Sequence, residues 1–112
     1  MDSDNTGSPT DGRGWIGQAM SAIVFYKIAA TKTRDDLIAA YPRHRARVDR
    51  FLASGKIVTM GALTSPTTDG VGSIGVFSSK ADADAFVKED PFVLEGMVGS
   101  YEVAEFTDIA QA

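Results

Sequence analysis

Two side chains in this sequence have the type and setting for proton transfer: the single histidine, His44, and Asp90, which stands directly before Pro91. Proline lacks an N–H and disfavours the α region for the residue before it. Asp90 should therefore leave its helix in an extended or bridging conformation, with its side chain free to turn inward. His44 lies three residues after Tyr41 and four before Val48, on the apolar stripe of a helix, while Arg43, Arg45, Arg47 and Arg50 flank it. If that helix starts at Pro42, His44 falls in its first turn, where the helix dipole and the arginines favour a neutral ring able to accept a proton. Periodicity leaves a second reading open, a buried histidine that serves the fold alone. The absence of cysteine excludes disulfides, thiolate metal sites and thiol nucleophiles, and one histidine excludes a polyhistidine metal cluster within a chain.

The elements that must position these residues fit one domain of 112 residues, 44% hydrophobic. Residues 1–20 read as a flexible N-terminal extension without a targeting pattern, and 21–109 as the folded body. Ser21 to Ala29 is short and rich in β-branched and aromatic residues, which predicts a first strand over about 22–29. Thr33-Arg-Asp-Asp36 has capping-box spacing, and Gly55 closes the helical pattern that follows. Pro42 divides that pattern into a short turn before Tyr41 and a main helix from Pro42 to Ser54. Lys56–Leu63 and Gly72–Ser78 read as a strand pair across a turn-rich loop. Ser79-Lys-Ala-Asp82 caps a second helix ending at Glu89, and Val98–Phe106 alternates as a fourth strand.

The order β-α-β-β-α-β, with right-handed crossovers, predicts an α+β, ferredoxin-like fold: a four-stranded antiparallel sheet with two helices on one face. The other face lacks a helical cover. Lined in part by Val24, Tyr26 or their neighbours, it would be closed most simply by a second copy, so a homodimer or higher homo-oligomer is expected. A net charge of −4 argues against nucleic-acid binding. No apolar run approaches the ~20 residues of a membrane span. A cytoplasmic protein acting on a small molecule is the expectation.

Tyr41-Pro-Arg-His44, Gly55-Lys-Ile-Val-Thr-Met-Gly-Ala-Leu63, Gly72-Ser-Ile-Gly-Val-Phe77, Asp90-Pro-Phe92 and Gly96 follow one another in an order and spacing that resemble the YciI-like (YCII-related) family, from about Ile23 to Phe106. The resemblance implies a dimeric α+β barrel and an active site around a histidine-aspartate pair, which maps onto His44 and Asp90. Ser73, in the glycine-serine position of the third strand, is carried over as substrate-binding. Many relatives have arginine where this chain has Tyr41, and Arg43 or Arg45 would take its place in holding a substrate anion. A Gly-Pro common in relatives is here Gly61-Ala62. One enzyme type of the family removes hydrogen chloride from chlorinated intermediates of aromatic breakdown, and many members have no assigned activity.

In such a pair the carboxylate keeps one ring nitrogen protonated and stabilises the imidazolium. The other nitrogen is then free to take a proton from carbon or oxygen, with no cofactor or metal required. A lyase or isomerase acting by proton transfer, dehydrochlorinase-like, is the expected activity. The alternatives are a dimeric ligand-binding or accessory module without chemistry, and a buried pair that only stabilises the fold.

Overall fold

A computed structural model describes residues 20–110, so the expected extension lies outside the described residues except for Met20, which opens the first strand. The elements run β1 (Met20–Ile28), α1 (Arg34–Ala53), β2 (Ile57–Ala62), β3 (Ser73–Phe77), α2 (Lys80–Glu89), α3 (Pro91–Leu94) and β4 (Val98–Thr107). The strands form one antiparallel sheet in the order β2-β3-β1-β4, as the ferredoxin-like topology requires.

Both capping motifs form. The Thr33 hydroxyl accepts from the Asp36 amide at 3.2 Å while the Asp36 carboxylate accepts from the Thr33 amide at 2.9 Å, a reciprocal box at the start of α1. That hydrogen bonding holds the Asp36 carboxyl below its ordinary range. Ser79 caps α2 through the Asp82 amide. Gly55 follows α1 with φ +74°, a left-handed conformation that side chains beyond glycine rarely adopt.

Pro42 does not divide α1. The helix is continuous over 20 residues with proline inside it, and His44 sits in its middle instead of its first turn. The carbonyl that loses its partner to Pro42 belongs to Ile38, and both residues are exposed, so water can satisfy it. The expected help from the helix dipole at His44 therefore falls away, because that field fades within the first turn.

The core lies between the helices and one sheet face. Ala22, Val24 and Tyr26 of β1 meet Ile57, Phe77, Val48, Ala83, Phe86 and Val87 there. Phe86 is fully buried at its centre, edge-on to Phe51 at 5.1 Å and tilted against Phe77 at 5.3 Å between ring centroids. Truncating it to alanine would cost about 3–5 kcal/mol. Arg47 fastens α1 to α2: its guanidinium donates to the carbonyls of Ala85 and Phe86, near the C-terminal end of α2, and lies over the rings of Phe51 and Phe86.

The strand period decides which residues line the uncovered face. Val24 and Tyr26 point to the helices, and it is their neighbours Ile23 and Phe25 that point away, opposite Val76 and Ile74 of β3. These four apolar residues are half-buried.

Candidate active site

Asp90 is positioned by the break the sequence predicts. It ends α2 and caps α3 in an extended conformation (φ −65°, ψ 124°), and its side chain is completely buried. Its Oδ1 accepts from the Phe92 amide at 3.1 Å, which starts the single turn of α3, and lies 2.7 Å from His44 Nδ1. Ala40, His44 and Val48 recur every four residues along α1 and form its buried stripe, so the imidazole is carried inward to this carboxylate. A carboxylate oxygen at this distance fixes Nδ1 as the protonated nitrogen, which leaves Nε2 without its proton in the neutral ring.

The ring is held by packing as well. Phe92 stacks on it at 4.1 Å with an interplanar angle of 4°, Phe86 meets it edge-on at 6.1 Å, and Tyr41 is tilted 6.2 Å away. His44 retains 11% side-chain exposure, whereas Asp90 has none. Both residues line a cavity of about 350 Å³ between α1 and the sheet, with walls from Tyr26, Met60, Ser73, Phe92 and Val98. The lining is mostly apolar with a few polar groups, contributed by α1 (Tyr41, His44, Arg45), by the sheet (Tyr26, Ser73) and by Asp90, a mixture found in pockets that accept small molecules.

Of the other candidates, Ser73 and Arg45 line this cavity and Arg43 does not. Arg45 sits at the rim, beside the Tyr41 hydroxyl and paired with Asp49 at 2.9 Å; these neighbours raise its already high proton affinity. Arg43 points outward and forks onto Glu95, with Nε 2.6 Å from Oε2 and the second nitrogen on Oε1. Two of its three guanidinium nitrogens are thereby engaged within the chain.

Tyr26 is the polar residue of the cavity that sequence reasoning missed. It is 3% exposed, and its hydroxyl and Asp90 Oδ2 are the buried side-chain polar atoms without a hydrogen-bond partner among the described residues. Burial first, then the charge of Asp90 and the nearby Tyr101, pushes its phenol far above the ordinary range, so it is a permanent hydroxyl. The period of β1, which puts Tyr26 on the face of Val24 and directly across from Ser73, is the signal that could have found it. Gly75, across from Val24 and Met60 on the same face, also shapes the cavity. A Cβ there would come within 2.7 Å of the Met60 methyl and 3.0 Å of the Phe77 ring.

Among the described residues no cluster of three or more His, Cys, Asp or Glu side chains could hold a metal ion, and no helix is long and apolar enough to cross a membrane.

Comparison with solved structures finds the same architecture. A 5-chloro-2-hydroxyhydroquinone dehydrochlorinase from Burkholderia phenoliruptrix AC1100, in complex with 2,5-dihydroxybenzoquinone, is similar with a TM-score of 0.58 and 23% identity over 75% of this chain and 90% of that one. A dimeric protein of unknown function and ferredoxin-like fold from Bacteroides fragilis NCTC 9343 is similar with a TM-score of 0.53 and 11% identity, over 80% and 95%. A hydroxynitrile lyase from Passiflora edulis reaches a TM-score of 0.47 at 16% identity, over 80% and 92%. At these identities the likeness to the first two is one of fold. No curated protein matches the chain. The profile of the YCII-related domain matches residues 20–107, from the first residue of β1 to the last of β4, and the chain belongs to that family.

Proposed function

We propose that this protein is a small-molecule lyase or isomerase in which His44 moves a proton and Asp90 holds and charges it. The observation that carries the reading is the 2.7 Å contact between His44 Nδ1 and Asp90 Oδ1 on the wall of a cavity large enough for a small ring compound. With Nδ1–H donating to Asp90, Nε2 takes a proton from carbon or oxygen of the substrate. The electron pair of that bond becomes the new double bond, and a leaving group such as chloride departs with its own pair. The imidazolium, stabilised by Asp90, then returns the proton to water or, in an isomerisation, to another atom of the substrate. Aromatic side chains around His44 suit a flat oxygenated ring, and Arg45 at the rim and Ser73 inside supply an attractive charge and a hydroxyl.

The chemistry of the dehydrochlorinase of similar fold makes its named substrate the first compound to try. Chloride release from 5-chloro-2-hydroxyhydroquinone, beside a set of small lactones and hydroxy acids, is measured with the wild-type protein and His44→Ala. Turnover by the first and none by the second is expected, and equal rates would sink the reading.

A second reading, binding without turnover, draws on the structural task Asp90 already performs as the cap of α3. It is the outcome if ring compounds bind the wild-type protein and none is converted.

The functional unit in this proposal is a homodimer, with the apolar face of Ile23, Phe25, Ile74 and Val76 covered by a second copy. Light scattering should give a dimeric mass, and Phe25→Asp a monomeric one. A monomeric mass for the unaltered chain would overturn it.

A further inference from the structure

The His44–Asp90 pair uses only one of the two carboxylate oxygens. Oδ1 receives Nδ1–H of His44 and the Phe92 amide, while Oδ2 is buried with no donor. Buried polar atoms in folded proteins find partners almost without exception, and a buried carboxylate oxygen is among the costliest to leave bare. The other buried side-chain polar atom without a partner among the described residues is the Tyr26 hydroxyl, on the wall of the same cavity. The two are chemically complementary. An ionised carboxylate can only accept, and a phenol that stays protonated can donate.

We propose that Tyr26 is a positioning residue for the proposed His44–Asp90 pair, donating its hydroxyl hydrogen to Asp90 Oδ2 once the two side chains turn toward each other. The inference rests on the proposed function for its importance to chemistry and on the buried polar atoms for its geometry. Both side chains line the same cavity, Tyr26 from β1 and Asp90 from the junction of α2 and α3. The carboxylate would then be held from both sides, by β1 at Oδ2 and by α1 and α3 at Oδ1, so it could not rotate away when His44 becomes charged. A site built this way keeps its base oriented without help from the ligand. It also assigns the ligand's polar contacts elsewhere, to Nε2 of His44, Ser73 and the Arg45 rim.

The groups facing the pair are few. Tyr41 and Arg45 come from α1, Phe92 from α3, Ser73 from β3 and Tyr26 from β1, with Tyr101 of β4 acting on Tyr26. Glu95, beyond α3, is engaged by Arg43. A donor on Oδ2 draws negative charge from Oδ1 and weakens it as an acceptor, so losing that donor strengthens the bond from His44 Nδ1–H.

Because the chain has one histidine, its imidazole proton and nitrogen resonances report this bond without ambiguity. The test is NMR of the full chain, labelled with nitrogen-15 at histidine, as wild type, Tyr26→Phe, Asp90→Asn and the double variant. Tyr26→Phe should move the Nδ1–H resonance downfield, and in the Asp90→Asn background the same change should have no further effect. An unmoved resonance in Tyr26→Phe overturns the proposal, as does a shift that persists without the carboxylate. Failure of Tyr26→Phe to fold overturns it too, since phenylalanine keeps every ring contact and the hydroxyl would then be holding the core. If Asp90→Asn alone leaves the histidine nitrogens unchanged, the His44–Asp90 pair fails and the proposed function with it. A spectrum that responds to Asp90→Asn and ignores Tyr26→Phe removes only the role of Tyr26.

Discussion

Arg43 and His44 are consecutive residues of α1, and each reaches a carboxylate at an end of α3: Arg43 to Glu95 just after it, His44 to Asp90 just before it. The outer pair stands in water, with side chains 55% and 35% exposed, and the inner pair is 11% and 0% exposed. Together they clip the same four-residue turn to the same helix, yet the physics assigns them opposite weights. Solvent screens the outer pair, so it adds little to stability. The inner pair has given up its hydration, so removing one partner strands the other in a medium that cannot solvate it. Distance alone would rank the two as equals.

That contrast is broken most directly by removing the imidazole of His44, the base of the proposed function, while keeping a donor for the carboxylate. His44→Gln should lower turnover of any substrate found by about 10²–10⁴-fold while the melting temperature stays near that of wild type. A large melting loss with unchanged turnover would make the inner pair a structural one. Next in size is Asp90→Ala, which deletes the cap of α3 and the partner of His44 together. Urea unfolding should show a loss of about 3 kcal/mol or more, against a much smaller loss for Glu95→Ala.

A smaller effect should appear at alkaline pH, from the environment the inner pair shares with Tyr26. The Tyr26 phenol is raised in the folded state, so its contribution to stability is complete below the ordinary tyrosine value of about 10 and is lost as pH rises beyond it. Only the unfolded chain then gains by ionising. Unfolding measured between about pH 9 and 11 should steepen for the wild type more than for Tyr26→Phe. The smallest change belongs to the outer pair. Arg43→Ala should cost little stability, and raising salt should shrink that cost further, whereas the effect of Asp90→Ala should hardly respond to salt.

Local chemistry made much of this architecture readable before any coordinates. The Thr33 and Ser79 caps, the Gly55 stop and the release of Asp90 by Pro91 each depend on a few adjacent residues, and each forms as the pattern requires. The orientation of β1 was harder. Ala22, Val24 and Tyr26 alternate with Ile23 and Phe25, so both faces of the strand are apolar and period alone cannot say which one meets the helices. Pro42 misled because its penalty depends on where the freed Ile38 carbonyl points, a tertiary matter. The same holds for Arg43. Its neighbour in sequence faces the cavity, but one step along a helix turns a side chain by about 100°, and Glu95 waits on the outside.

The bare Cα of Gly75 gives this cavity a single-residue control of its depth. Met60 lies over the position a side chain would occupy, and Met60 is also part of the cavity wall. Gly75→Ala would have to displace the thioether, whose flexible chain has the open cavity beside it, with the ring of Phe77 crowding the same methyl position. The smallest possible enlargement, one methyl group at Gly75, would thus be felt through Met60 at the cavity wall. The room in this cavity can therefore change without a substitution at His44 or Asp90.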